Sequence, residues 1–313
     1  MSEDSDSSEP FGKEYSRLAP RLNELASEAK FIVDAGLKAL PVKIQTVTTR
    51  VKSEKSALQK LNSKQLNPDQ LSHLTDLVGL RIVALFLTDL EAIIEMVKSK
   101  FKILKLQDWV TSSGSEDAFG YMSIHADVQL LDEYAGPRYD ELKDFTFEVQ
   151  IRTILMDAWA NVSHFLDYKG PSSIPEELRR DFYALSGLFY VADKHFEIFY
   201  SEAERSKELA IETVANKGVD DIPLNLDTLS ALLNSRYVDR EDDTRSEISV
   251  LVEQFSSAGF NTISQVEELL DARTNDLESE EETVTSRPHK KFFTRVGAAR
   301  ISLSAETGIK FTE

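Results

Sequence analysis

The sequence predicts an α+β protein: a sheet flanked by helices, followed by a region built from helices alone. Three observations carry this. Five stretches before residue 155 run apolar or alternate at strand length, and amphipathic segments of helical spacing separate them. Across Phe145–Phe165 the apolar period changes within one segment, from two residues to about 3.6, which marks a strand feeding directly into a helix. Beyond Pro175 the pattern is helical.

Residues 1–12, acidic and serine-rich, read as a disordered tail. Leu18, Leu22, Leu25, Ala29, Ile32, Val33 and Leu37 form one stripe of a helix over 15–37, with Pro41 beyond its end. Ile44–Val51 alternates and is rich in Thr and Val, a strand. Ser53 precedes a helix to about Ser63 that turns Ala57, Leu58 and Leu61 inward and its lysines outward. Asn67-Pro68-Asp69 opens a short turn of helix. The apolar run Ile82–Phe86 reads as a central strand, and Thr88 or Asp89 caps a helix through Phe101. Strands follow over Ile103–Trp109 and Gly120–Leu131, with a polar loop, Thr111–Phe119, between them. After the Gly136-Pro137 turn, Phe145–Ile151 returns as an antiparallel neighbour.

In that last strand Phe145, Phe147, Val149 and Ile151 share one face and Glu148, Gln150 and Arg152 the other. Three polar groups on one sheet face, running into a helix start with Thr153 where an N-cap would sit, mark either a site or an edge strand with a solvated face. The helix itself is expected to turn Ile154, Ala158, Val162 and Phe165 inward, with Leu155 and Trp159 alongside. A long helix covers 175–210. Three short ones follow, over Leu226–Leu233, Ile248–Phe255 and Ile263–Leu270, with a stop at Gly259. Asp276–Glu282 reads as a solvated acidic linker, and Phe292–Leu303 as either helix or strand.

Composition narrows the function. The 313 residues allow two domains, at roughly 150 residues each. No run reaches the ~18 apolar residues of a membrane span, and the acidic N-terminus has no apolar core of a signal peptide, so a cytoplasmic protein is expected. With no cysteine, disulfides, thiolate metal sites and a Cys nucleophile are excluded. A net charge of −18 disfavours nucleic acid as a partner. Residues 41–64 nevertheless gather Lys43, Arg50, Lys52, Lys55, Lys60 and Lys64 against Glu54, a local +5 that suits a polyanionic small molecule such as a nucleoside triphosphate.

Asp76, Asp108 and Glu148 stand at ends of predicted strands. Carboxylates clustered at a sheet end can hold Mg²⁺ for phosphoryl transfer, which takes one or two carboxylates plus phosphate oxygens. Each can equally be a solubilising strand-end acid.

The polar residues fall into a series: Arg50-Val-Lys52-Ser53-x-x-Ser56-x-x-x-Lys60-x-x-x-Lys64, Asp76-x-x-Gly79-x-Arg81, Gly120-Tyr121-x-Ser123-Ile124-His125, Glu148-x-Gln150-Ile151-Arg152-Thr153, and Trp159 followed by His164 and Tyr168-Lys169. This series resembles the synthetase domain of RelA/SpoT alarmone synthetases, over about residues 41–169. The resemblance implies a mixed, mainly antiparallel sheet flanked by helices, related to nucleotidyltransferases. It also implies transfer of the β,γ-pyrophosphate of ATP to the 3′-hydroxyl of GDP or GTP, with Mg²⁺ as cofactor. On it, Asp76 matches the metal ligand, and Glu148 a second metal ligand or the base for the 3′-hydroxyl. Arg50 and Arg81 match an adenine sandwich, and Lys52, Ser56 and Lys60 triphosphate contacts. Tyr121 matches a guanine-stacking aromatic. His125 and Asp157 fall on the acceptor nucleotide, where a carboxylate can accept both N1–H and N2–H of guanine. Gln150 and Arg152 support Glu148.

Blander readings stand beside these: Arg81 paired with Asp76, His125 a satisfied core histidine, Asp157 an exposed helix residue. Relatives carry a basic residue in the loop ahead of Gly120-Tyr121; here Glu116 and Asp117 stand there, with Met122 after the tyrosine, which leaves Arg138 or Lys143 as alternative phosphate contacts. The expected organisation is a tail (1–12), a synthetase domain with flanking helices (13–205), a small helical module (222–275), and an acidic linker and tail (276–313). The reading is a small, monofunctional synthetase that could form a homo-oligomer through its C-terminal helices. The alternatives are a toxin-like relative acting on adenine nucleotides or the tRNA 3′ end, and a non-catalytic nucleotide-binding regulator.

Overall fold

The computed structural model of the chain describes residues 8–108, 123–167, 175–215, 222–285 and 292–310. It divides into two compact units, residues 1–198 and 199–313.

In the first unit, helix α1 (Ser8–Leu37) precedes strand β1 (Ile44–Val51), helix α2 (Glu54–Ser63) and a short 3₁₀ turn at Pro68–His73. Then come β2 (Val78–Ala84), α3 (Thr88–Lys100), β3 (Phe101–Asp108), β4 (Ile124–Leu130), β5 (Phe147–Thr153) and α4 (Ile154–Asp167). The 40-residue α5 (Glu176–Ala215) contributes to both units. The five strands form one sheet in the order β1-β2-β5-β4-β3. Only β2 and β5 run parallel, so the sheet is mixed and mainly antiparallel, as expected.

Alternation divides the sheet into two chemically distinct faces. Leu80, Ile82, Ala126, Val128, Phe147, Val149 and Ile151 point to the face covered by α1 and α3, where Leu22, Leu25, Val33, Ile93 and Val97 close the core. Phe101 meets Phe147 edge-on at 5.4 Å. The opposite face carries the polar residues of β2, β4 and β5.

Two local expectations meet corrections here. Helix α1 begins at Ser8, and Phe11 is buried in the core, so the boundary drawn at residue 12 falls inside a helix. In α4 the buried stripe is Met156, Trp159 and Ala160, whereas Ile154, Val162 and Phe165 are exposed. This helix is apolar on more than one face, and spacing alone does not choose which face meets the core. Trp159 chooses it, packing at 4.6 Å on Phe182 and 6.0 Å on Phe189.

In the second unit α6 (Leu226–Arg236), α7 (Arg245–Ser257), α8 (Ile263–Ala272), α9 (Thr274–Thr285) and α10 (Arg295–Thr307) surround a core of Leu229, Leu233, Leu251, Phe255, Val266, Leu270, Val296 and Leu303. Gly259 stops α7 with φ +94°. The acidic run is a helix, not a solvated linker. Leu277 and Glu281 of α9 are buried, and Glu281 takes a fork of two hydrogen bonds from Arg240 at 2.6 and 2.9 Å. Its Oε1 also accepts from the backbone N–H of Phe292 at 2.8 Å. The helical module therefore extends past 275 to include α9 and α10.

Candidate active site

Strand register lays the functional side chains in two rows across the polar sheet face. Arg50 pairs with Gly79, Gly79 with Glu148, Glu148 with Asp127 and Asp127 with Lys105. Two residues along each strand, and so on the same face, Thr48 pairs with Arg81, Arg81 with Gln150, Gln150 with His125 and His125 with Gln107. Gly79 leaves room beside Glu148 for the Arg50 side chain, which a Cβ at this position would meet at ordinary contact distance, 3.5 Å from Nε.

The basic segment and Asp76 meet at one edge. Lys52, at the exit of β1, is fixed by its backbone: its N–H donates to Leu77 O and its carbonyl accepts from Tyr15 Oη. Ser53 caps α2 by accepting from Ser56 N, and one turn on that helix presents Lys60. Lys52 Nζ and Lys60 Nζ both donate to Asp76 Oδ2, at 2.5 and 2.8 Å. Burial on its own would raise the Asp76 carboxyl; hydrogen bonds and charge from the two lysines outweigh it and hold the group below its ordinary value. Asp76 Oδ1 is buried with no hydrogen-bond partner. Ser56 is exposed, its hydroxyl accepting from Ser53 Oγ at 3.0 Å.

Glu148 sits at the centre of the face. Its Oε1 lies 2.7 Å from His125 Nδ1 and its Oε2 accepts from Gln150 Nε2 at 2.7 Å. His125 Nε2 is in turn 2.6 Å from Ser123 Oγ, which is fully buried. Burial pushes the Glu148 carboxyl up, but the His125 contact, followed by the Gln150 bond, brings it below normal, with Asp76 opposing. His125 thus serves the carboxylate and is not a core histidine.

A third cluster lies over β2. Arg81 reaches Asp157 Oδ1 at 2.9 Å and Gln150 Oε1 at 3.3 Å. Arg152, buried beneath, donates to the same Asp157 oxygen at 3.2 Å, while Asn161 Nδ2 donates to Oδ2 at 2.9 Å. Burial, then the neighbouring charge of Arg81, lowers Arg152 to about 10. Asp157 is therefore engaged with Arg81, Arg152 and Asn161. Arg81 pairs with Asp157 and not with Asp76. Arg152 supports Asp157; Gln150 is the residue that bonds to Glu148.

Thr153, the expected N-cap of α4, accepts from Met156 N at 3.1 Å and donates to Asp193 Oδ2 of α5 at 2.5 Å. The site reaches only so far: Tyr121, with Glu116, Asp117, Met122, Tyr168 and Lys169, lies outside the described residues. Asp108 pairs with Ile124 and so faces away from Asp76 and Glu148. Arg138 is committed to Glu28 of α1 at 2.7 Å, and Lys143 to the carbonyl of Asp132 at 3.0 Å. The cations beside the carboxylates at the β4 side are instead Lys105 and Lys64, both felt by Asp127. Sequence reading missed Asp127, Lys105 and Asn161. The spacing His125-x-Asp127, two apart on a strand, was the available signal for Asp127.

Among the described residues no three acidic or histidine side chains form a ready cage for a metal. Mg²⁺ does not require one, because it usually keeps waters and phosphate oxygens beside one or two carboxylates. The buried, unpartnered Oδ1 of Asp76 and the negative charge that Asp76 exerts on Glu148 fit that pattern.

A five-stranded mixed sheet with Asp76, Glu148, two arginines and two lysines gathered on its polar face defines an α+β domain with one charged, polar site. Residues 49–173 match the family described as a region found in RelA/SpoT proteins. GTP pyrophosphokinase YjbM of Bacillus subtilis (strain 168) is 31% identical over 138 residues, covering 44% of this chain and 62% of the relative. GTP pyrophosphokinase YwaC of the same organism is 29% identical over 140 residues, 43% of this chain and 63% of its own length. The matches thus span just under two thirds of these curated relatives. The crystal structure of small alarmone synthetase 1 from Bacillus subtilis superposes with a TM-score of 0.52 at 26% identity, covering 61% of this chain and 98% of that one. The same protein bound to its product pppGpp gives 0.51 at 26% identity, with the same coverage. Over residues 49–173 the chain is thus similar to the region found in RelA/SpoT proteins, and in fold to a small alarmone synthetase.

Proposed function

We propose that the chain is a GTP pyrophosphokinase that transfers the β,γ-pyrophosphate of ATP to the 3′-hydroxyl of GDP or GTP, giving (p)ppGpp. One observation carries the reading: Glu148, held by His125 and Gln150, stands in the same register row as Arg50, with the Lys52–Lys60–Asp76 cluster at the strand edge beside it. A base and an anion-binding edge on one rigid sheet are what in-line pyrophosphoryl transfer needs.

ATP belongs on the β1–β2 side. Arg50 lies exposed over Gly79, and Arg81 has its plane set by Asp157, Gln150 and Asn161, so the two guanidinium groups suit stacking on adenine. Each ammonium has three donors and gives one to Asp76, leaving others for phosphate oxygens, with Ser56 at the same helix start. Asp76 and Glu148 are the groups that would hold Mg²⁺, which when bound neutralises charge developing on the transferred phosphates. Glu148 takes the proton of the 3′-hydroxyl, whose oxygen bonds to the β-phosphorus as the bond to the α-phosphate oxygen breaks and AMP leaves. Tyr121 is assigned to the acceptor base. Asp157 enters as the residue that orients Arg81; a guanine contact would require it to release one of its present partners.

The homo-oligomer belongs to this reading as well. Leu178, Leu185 and Leu188 of α5 are exposed apolar side chains on which a second copy could pack. A monomer by analytical ultracentrifugation at micromolar concentration removes that part.

The activity is tested by incubating the protein with Mg²⁺, labelled ATP and, separately, GDP, GTP, GMP, ADP and tRNA. Transfer to GDP or GTP supports the assignment. Transfer only to ADP or tRNA supports a toxin-like enzyme, and tight nucleotide binding with no transfer a regulator.

A further inference from the structure

Asp127 has no role in the mechanism above, and its position is costly. It stands directly opposite Glu148 in an antiparallel pair, where like charges destabilise a sheet. Among the described residues no hydrogen bond or ion pair satisfies it, and Asp76 adds a further negative charge nearby. Lys105, opposite on β3, and Lys64 offset this only in part, since burial with Glu148 and Asp76 leaves the carboxyl above its ordinary value; a local rule broken without full compensation is the mark of a functional position.

We propose that Asp127 accepts a hydrogen bond from the 2′-hydroxyl of the acceptor nucleotide and so selects ribonucleotides over deoxyribonucleotides. The inference rests on the reading of Glu148 as the group facing the 3′-hydroxyl. Directly opposed residues on neighbouring strands lie with Cα atoms about 4.5–5.5 Å apart and side chains on one face. Neighbouring carboxylates at that spacing match the neighbouring hydroxyls of one ribose. ATP lies on the other side of Glu148, toward Arg50 and Arg81, so the ribose within reach of Asp127 is the acceptor's. A carboxylate repels phosphate and takes only donors. Once the 3′-hydroxyl is on Glu148, the nearest donor is the hydroxyl one carbon away, whereas the base edge lies beyond the sugar.

The test compares GDP with 2′-deoxy-GDP, in turnover with ATP and Mg²⁺ and in calorimetric binding without ATP, for wild type, Asp127→Ala and Asp127→Asn. Wild type should prefer GDP by roughly ten- to a hundredfold, the range of a hydrogen bond to a charged partner. Asp127→Ala should bring the ratio near one by weakening GDP and sparing the deoxy analogue. Asp127→Asn, which keeps an acceptor oxygen and tests the contact if the alanine variant misfolds, should restore part of the preference. Equal use and equal binding of both acceptors by wild type overturns the proposal. So does a ratio unchanged in both variants, or an equal loss for both acceptors that extra Mg²⁺ relieves, which assigns Asp127 to the metal. Absence of transfer to any acceptor refutes the function instead, and the binding ratio still decides the role of Asp127.

Discussion

Replacing Asp193 with asparagine should stabilise the protein at neutral pH. Asp193 is 2% exposed, its Oδ2 accepts from Thr153 Oγ1, and its Oδ1 has no partner. Burial raises its carboxyl from 3.8 to about 6, against the Thr153 bond. A raised folded-state value means that the folded protein binds this proton more tightly than the unfolded chain. Stability from the bound proton is therefore complete below about pH 4 and lost as pH rises through about 6. The shift is about two pH units, worth about 3 kcal/mol at ~1.4 kcal/mol each. An asparagine keeps an acceptor for Thr153 and has no charge to bury. Urea unfolding followed by tryptophan fluorescence suits the question, because Trp159 packs in the same unit against Phe182 and Phe189. Asp193→Asn should gain up to ~3 kcal/mol over wild type at pH 7.5 and close to nothing at pH 4. A variant less stable than wild type at pH 7.5, or a gain independent of pH, would refute the argument.

Three further outcomes follow from the same contacts. Glu281→Ala should leave the Arg240 guanidinium buried without its carboxylate and cost about 3–5 kcal/mol, read as faster hydrogen exchange through α6–α10; unchanged exchange would contradict it. Arg50→Ala and Arg81→Ala should raise KM for ATP and spare that for the acceptor, by up to ~2 kcal/mol of stacking; equal effects on both substrates would mean that these arginines serve the fold. Lys105→Ala should do the converse, raising acceptor KM at low salt more than at high salt, and a salt-independent change would tell against a phosphate contact.

Local signals made much of the molecule legible. The period change and N-cap at Thr153 and the alternation of β5 are short-range features, and the structure places strand, helix and N-cap where they indicate. The polar series was legible as a set because residues two apart share a sheet face. What the sequence could not supply was pairing across distance. Asp127 is informative only once β4 is laid against β5 in register. The acidic segment around Glu281 reads as solvated until Arg240, 41 residues away, is found beside it. Asp157, on helix α4, showed its type but not its partners, since Arg81 and Arg152 come from two strands of the sheet. The buried side of α4 was undecidable from spacing, and Phe11 sat in a segment whose composition outweighed one aromatic residue.

The most direct test of the central claim is the fate of the β-phosphate. With ATP labelled at the β position, GDP and Mg²⁺, the account predicts a product carrying two added phosphates at the 3′ position, the label within it, and AMP released in equal amount. Glu148→Ala and Asp76→Ala should each lower that rate by at least about a hundredfold, in line with ~2.7–4 kcal/mol of electrostatic stabilisation. Release of labelled ADP with a single phosphate transferred, or wild-type rates in either variant, would contradict it.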